Sequence, residues 1–225
     1  MKRKSKGVAI VEFSFAMLVV VPLLLGTVGF GIRLVQSMQT IQLARDAGRM
    51  YARGLKMYQD ANKTILAKLG ADIGLKTDGT GNSVLILSKV MYVDKAKCVL
   101  AGKSIDPITN EPIGCTNYKF WVFAERLVIG NASIHTSNLG SPLTTGTTGV
   151  TVDSTTGAIS DSDQVNQTGA QAQFSDFGNP FVAVGGSAMN TLPSGQVLYV
   201  TEAASQGFTM APFASGGLMY AYTIF

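Results

Sequence analysis

Between Val8 and Ile32 a single ionisable side chain, Glu12, interrupts twenty-five otherwise uncharged and mostly apolar residues. As a helix this run covers about 37 Å, more than the roughly 30 Å hydrocarbon core of a bilayer. Lys2, Arg3, Lys4 and Lys6 precede it and Arg33 ends it. Under the positive-inside rule the basic end stays in the cytoplasm and everything after Arg33 lies outside. A cleavable secretory signal has a shorter apolar core followed by a small-residue cut site. This run is too long, and no Ala-x-Ala site follows it. A carboxylate at membrane depth costs about 2.5–3.5 kcal/mol on insertion scales, so Glu12 needs a partner or must reach toward the headgroups.

Helical periodicity continues past Arg33. Leu34, Met38, Ile41, Ala44, Gly48, Tyr51, Leu55 and Tyr58 recur at spacings of three and four, and Ile65, Leu66 and Leu69 extend them. Arg45, Arg49, Arg53, Lys56 and Asp60 fall on the other side, and Gly70 is a natural stop. The pattern predicts one helix over about 8–69, with a transmembrane half (8–32) and an amphipathic half (33–70). A membrane anchor followed by a separate core helix fits the same stripe. Pro22 removes a backbone donor and predicts a kink. Gly26, Gly29 and Gly31 weaken the helix near its middle.

The start of this helix resembles a known family. Gly7 followed by Val-Ala-Ile-Val-Glu12-Phe13 is similar to a class III signal. Together with Pro22-Leu-Leu-Leu25, Gly29-Phe-Gly31 and Ala44-Arg-Asp-Ala-Gly-Arg-Met-Tyr-Ala52, it resembles the TadE-like segment of tight-adherence (Flp-type) pilus systems. Ser14 stands where the family usually has alanine. The resemblance implies a pilin-like α+β fold, with a long stem helix and a β-rich outer domain. It implies cleavage between Gly7 and Val8 by a prepilin peptidase, which removes the leader 1–7. Glu12 and Phe13 would then serve assembly, Glu12 pairing with the Val8 amine of a neighbouring subunit. The implied partners are other pilin subunits, the inner-membrane assembly platform and the lipid bilayer. The implied location is the inner membrane, in a single pass with the C-terminal domain periplasmic, or an extracellular pilus. The implied role is that of a minor pilin or pseudopilin, since the major subunits of such systems are much shorter. An uncleaved, membrane-anchored surface adhesin is the alternative.

Residues 71–225 change character: Gly, Ser and Thr rise and charged helix formers fall. Strands are expected at Ser83–Val93, Tyr118–Ile129, Gln196–Thr201 and Leu218–Phe225, rich in β-branched and aromatic residues. Asp72 to Asn82, ending in Thr-Asp-Gly-Thr-Gly-Asn, has the chemistry of a turn. About 150 residues suffice for a real core, predicting a small sheet packed on the amphipathic part of the stem. Cys98 and Cys115 are the only cysteines and fall outside the membrane, where an oxidising milieu favours a disulfide worth about 3 kcal/mol. The Thr- and Gly-rich segment 133–179 reads as a long surface loop with a short hairpin near Val150–Ile159, more a mobile insertion than a ligand-presenting loop.

Little here points to catalysis or cofactors. His135 is the lone histidine and reads as an exposed bystander. Two cysteines and one histidine do not make a zinc site, and Asp161-Ser-Asp163 matches too little of a calcium loop. No nucleophile elbow or phosphate loop is present. The 18 basic against 14 acidic residues give a net charge of +4, but the four basic residues of the leader account for it. The alkaline balance is therefore a membrane-orientation signal, with no basic-aromatic stripe to suggest nucleic acid binding.

Overall fold

A computed structural model describes residues 6–173, 197–211 and 215–225. The chain is α+β: one long helix, then an antiparallel sheet domain. Helix α1 runs over Lys6–Ala52 without interruption, with Pro22 inside it. In lipid a helix satisfies its backbone polar groups internally, which suits the apolar half of this segment.

The stem does not continue to residue 69. It stops at Ala52, and a separate helix α2 spans Asp60–Leu69. The reason is local. Gly54 adopts φ +80°, its N–H donates to the Tyr51 carbonyl at 2.9 Å, and the Leu55 N–H donates to the Met50 carbonyl at 3.2 Å. These two bonds form a Schellman stop, which satisfies the last carbonyls and needs a left-handed residue that glycine adopts cheaply. The apolar spacing continues into α2 because Met57 and Leu66 plug the same core from the far side of the break. Gly70 does cap α2, its N–H bonded to the Leu66 carbonyl.

Four strands form the sheet in the order β2-β1-β3-β4: β1 Ser83–Tyr92, β2 Trp121–Gly130, β3 Val197–Gln206 and β4 Leu218–Ile224. All four expected strands are present, with Gln196 outside the described residues. The second begins three residues late, because Lys119 at φ +69° turns the chain and its N–H bonds the Val93 carbonyl. β1 is central and buried on both faces. Leu85 and Leu87 join a core with Leu43, Ala44 and Ala47 of α1. A register shift between Lys89 and Val90, opposite Ala124, leads into a second core around Val90, Phe123 and the disulfide.

The stem docks on β3 and β4 through a face offset from the expected stripe. Thr40, Leu43, Ala44, Ala47, Gly48 and Tyr51 are buried, while Leu34, Met38 and Ile41 remain exposed. Close approach decided the face. A Cβ on Gly48 would lie 2.4 Å from the Phe225 ring, and the Thr223 hydroxyl donates to the Ala44 carbonyl at 3.1 Å. The Thr40 and Ser205 hydroxyls are 2.8 Å apart within this interface.

The polar segment also departs from a plain surface loop over its described part, 133–173; the rest of the predicted loop lies outside the described residues. The chain covers the outer edge of β2. The Arg126 N–H donates to Gly157, the Ile159 N–H to Ala124 and the Ala172 N–H to Trp121. Val152 and Ile159 form the expected short hairpin contact. Helix α3, Asp161–Asn166, is capped by the Ser160 hydroxyl. Leu139, Val150, Ile159, Val165 and Ala170 of the segment enter the second core. Buried Asn117 ties the cover down, its amide donating to the carbonyls of Gln164 and Gln167. Sparse apolar residues thus suffice because Leu139, Val150, Ile159, Val165 and Ala170 are buried and much of the backbone is hydrogen-bonded to β2 or within the segment.

Candidate functional site

The apolar part of α1 is bare. Ile10, Val11, Phe13, Phe15, Leu18 and Leu23 are each more than half exposed, and just 6% of the most apolar window is buried in the chain. A core helix of a soluble domain would be mostly covered, so this surface requires lipid or other helices. Glu12 stands exposed on this bare helix, four residues beyond Val8. At helical spacing, side chains four apart share a face. Gly7 and Val8 are within α1.

A second constellation lies in the outer domain, which the sequence reading missed. Glu202 of β3 is fully buried. Its carboxylate accepts from the Ser137 hydroxyl, from the Asn138 N–H at 3.0 Å and from the Tyr220 hydroxyl at 2.8 Å. Arg126 Nη1 and His135 Nε2 each stand 3.9 Å away. Arg126 also donates to the Ser88 hydroxyl and to the Gly140 carbonyl. Burial pushes the Arg126 guanidinium down to about 10, against the pull of Glu202. Burial also lowers the His135 imidazole, and it raises the Tyr220 phenol together with the neighbouring Glu202 charge. His135 is therefore no exposed bystander; it packs against the Tyr220 ring at 4.6 Å between centroids. A buried carboxylate with this many donors ties the 133–140 segment to the sheet. The signal available in sequence was Glu202 itself, an acid amid small and apolar strand residues. Ser137 bonds the carboxylate rather than the histidine, so the group lacks the order of a nucleophilic triad.

Other candidate positions are structural. Cys98 and Cys115 form a disulfide with Cα atoms 5.9 Å apart, and both enter the second core. Asp161 pairs with Lys97 at 2.5 Å and Asp163 accepts from the Thr151 N–H, so the Asp-Ser-Asp run is occupied by protein donors. Among the described residues no group of three or more His, Cys, Asp or Glu side chains converges as a metal site would. A cleft of about 130 Å³ at the end of α1 is lined by Tyr51, Lys56, Tyr58, Lys89, Glu125 and Tyr199. Its groups answer one another: Lys89 lies over the Tyr199 ring and faces Glu125 across the strands. Burial raises the Glu125 carboxyl.

Among the described residues, one long helix apolar enough to cross a membrane carries an antiparallel sheet domain. Residues 7–49, within the stem, match the family model of the TadE-like proteins. The match ends where α1 finishes docking on the sheet and leaves the outer domain uncovered. No curated protein and no solved structure matches the chain.

Proposed function

We propose that the chain is a minor pilin or pseudopilin, a structural assembly protein and not an enzyme. It inserts in the inner membrane with its basic end cytoplasmic, is cut between Gly7 and Val8 by a prepilin peptidase, and packs through its stem against other pilin subunits and the assembly platform. The observation carrying this reading is Glu12, exposed on an uncovered apolar helix within the TadE-like segment, one turn from Val8. Cleavage would place an α-amine at Val8, and both it and Glu12 are costly in lipid. Pairing Glu12 with the Val8 amine of a neighbour removes both costs and sets the axial register. The new helix N-terminus also favours a carboxylate in its first turns. Phe13 beside it adds apolar contact area.

The intact mass of the membrane-extracted protein, with and without an active prepilin peptidase in the host, tests the processing. Loss of residues 1–7 only with the peptidase supports it. A full-length mass in both hosts transfers the chain to the alternative, an uncleaved surface adhesin. For assembly, Glu12→Gln is expected to insert normally and fail to join the complex; normal incorporation sinks the pairing.

A further inference from the structure

Phe208 and Gly217, just after β3 and just before β4, lie beside the point where α1 leaves its apolar run. The Phe208 N–H donates to the Gln36 side-chain oxygen at 2.8 Å. Arg33 Nη2 lies 2.7 Å from where a Cβ on Gly217 would sit. Gln36 is four residues past Ile32, about 6 Å along the helix axis. The headgroup layer on each side of a bilayer is about 5–7 Å thick. Phe208 and Gly217 are therefore held at headgroup depth if Ile32 marks the edge of the hydrocarbon.

The chemistry of this part of the chain fits that depth. From Ala203 to the last residue, Phe225, no Asp, Glu, Lys, Arg or His occurs. Phe208 and Met210 are partly exposed, and Leu218 is half exposed at the start of β4. An uncharged segment with an aromatic and long apolar side chains gains by entering the interface, where no ion must lose its hydration. The first carboxylate along this flank of the stem, Asp72, is bonded to Gln39, about 10 Å past Ile32 along α1. Arg33 is placed to reach lipid phosphates.

We infer that the segment 207–211, which follows β3, is a second membrane contact, seating Phe208 and Met210 in the outer-leaflet interface of the bilayer that α1 crosses. The contact fixes the tilt and rotation of the sheet domain on its stem before assembly. This rests on the single-pass membrane reading above, and the test separates the two.

Full-length protein is reconstituted in vesicles of phosphatidylcholine and phosphatidylglycerol. Single cysteines at Met210→Cys, Thr209→Cys, Leu24→Cys or Ile108→Cys carry an environment-sensitive fluorophore, the native cysteines being locked in their disulfide. Lipids with a nitroxide near the headgroup end of the acyl chain supply the quencher. The expected result is a blue-shifted emission and loss of most of the signal at 210 or 209, quenching at 24, and none at the outer Ile108. Quenching at 24 with water-like emission at both 209 and 210 overturns the membrane contact and leaves the anchor standing. That outcome also covers a segment that packs on another protein. No quenching at 24 overturns both.

Discussion

Replacing Gly157 with alanine tests whether the polar segment clamps the edge of β2 or merely lies near it. Gly157 has φ +74°, and a Cβ there would sit 2.2 Å from the Arg126 carbonyl oxygen and 2.8 Å from its carbon. Its own carbonyl accepts the Arg126 N–H at 2.8 Å. Gly146 supplies the control, with φ +82° and nothing within 4 Å of its Cβ position. Both alanines carry the left-handed penalty of about 1–2 kcal/mol. At position 157 alone the segment must also move off the strand. That adds about 1–3 kcal/mol of overpacking and about 1 kcal/mol of lost hydrogen bonding. Gly157→Ala is therefore expected to cost about 3–6 kcal/mol and Gly146→Ala about 1–2 kcal/mol. Urea unfolding of the detergent-solubilised full chain can follow Trp121, the sole tryptophan and the first residue of β2. Equal losses in the two variants would refute the clamp, because only the conformational penalty would then be at work.

Other outcomes follow from the same contacts. Thiol blocking without reduction should label neither Cys98 nor Cys115, and reduction should lower stability by about 3 kcal/mol in urea unfolding. Glu202→Leu should cost about 3–5 kcal/mol by leaving Arg126 buried without its counter-ion, measured by the same unfolding; adding Arg126→Met should recover much of it. His135 has a folded-state pKa below its ordinary 6.5. The unfolded chain then binds its proton first, so stability is full above pH 6.5 and declines as pH falls through 6.5 toward the lower folded value. As the sole histidine it should account for that step, and His135→Gln should flatten the unfolding midpoint between pH 7 and pH 5.

Partition between water and lipid is a property of the residues themselves, so the stem was legible without coordinates. A run with one carboxylate, bounded by Lys6 and Arg33, has few folds open to it whatever the outer domain does. Strand propensity located β1, β2, β3 and β4 for the same local reason. The cysteine pair followed from compartment and number. Gly54 was also a local signal, hidden because Tyr51, Leu55, Tyr58, Ile65, Leu66 and Leu69 keep the apolar pattern across the break.

Tertiary structure decided what depends on which surfaces meet. Thr40, Ala44 and Gly48 became the docking face because the β3–β4 surface admits small side chains at close range, leaving Leu34, Met38 and Ile41 outside. No periodicity encodes that choice. The segment 133–173 lacks an apolar pattern of its own and is ordered by the edge of β2 and by Asn117. Glu202 gathers Ser137, Asn138, Arg126, His135 and Tyr220 from separate parts of the chain. A buried carboxylate needs donors, and only the folded sheet brings them within reach.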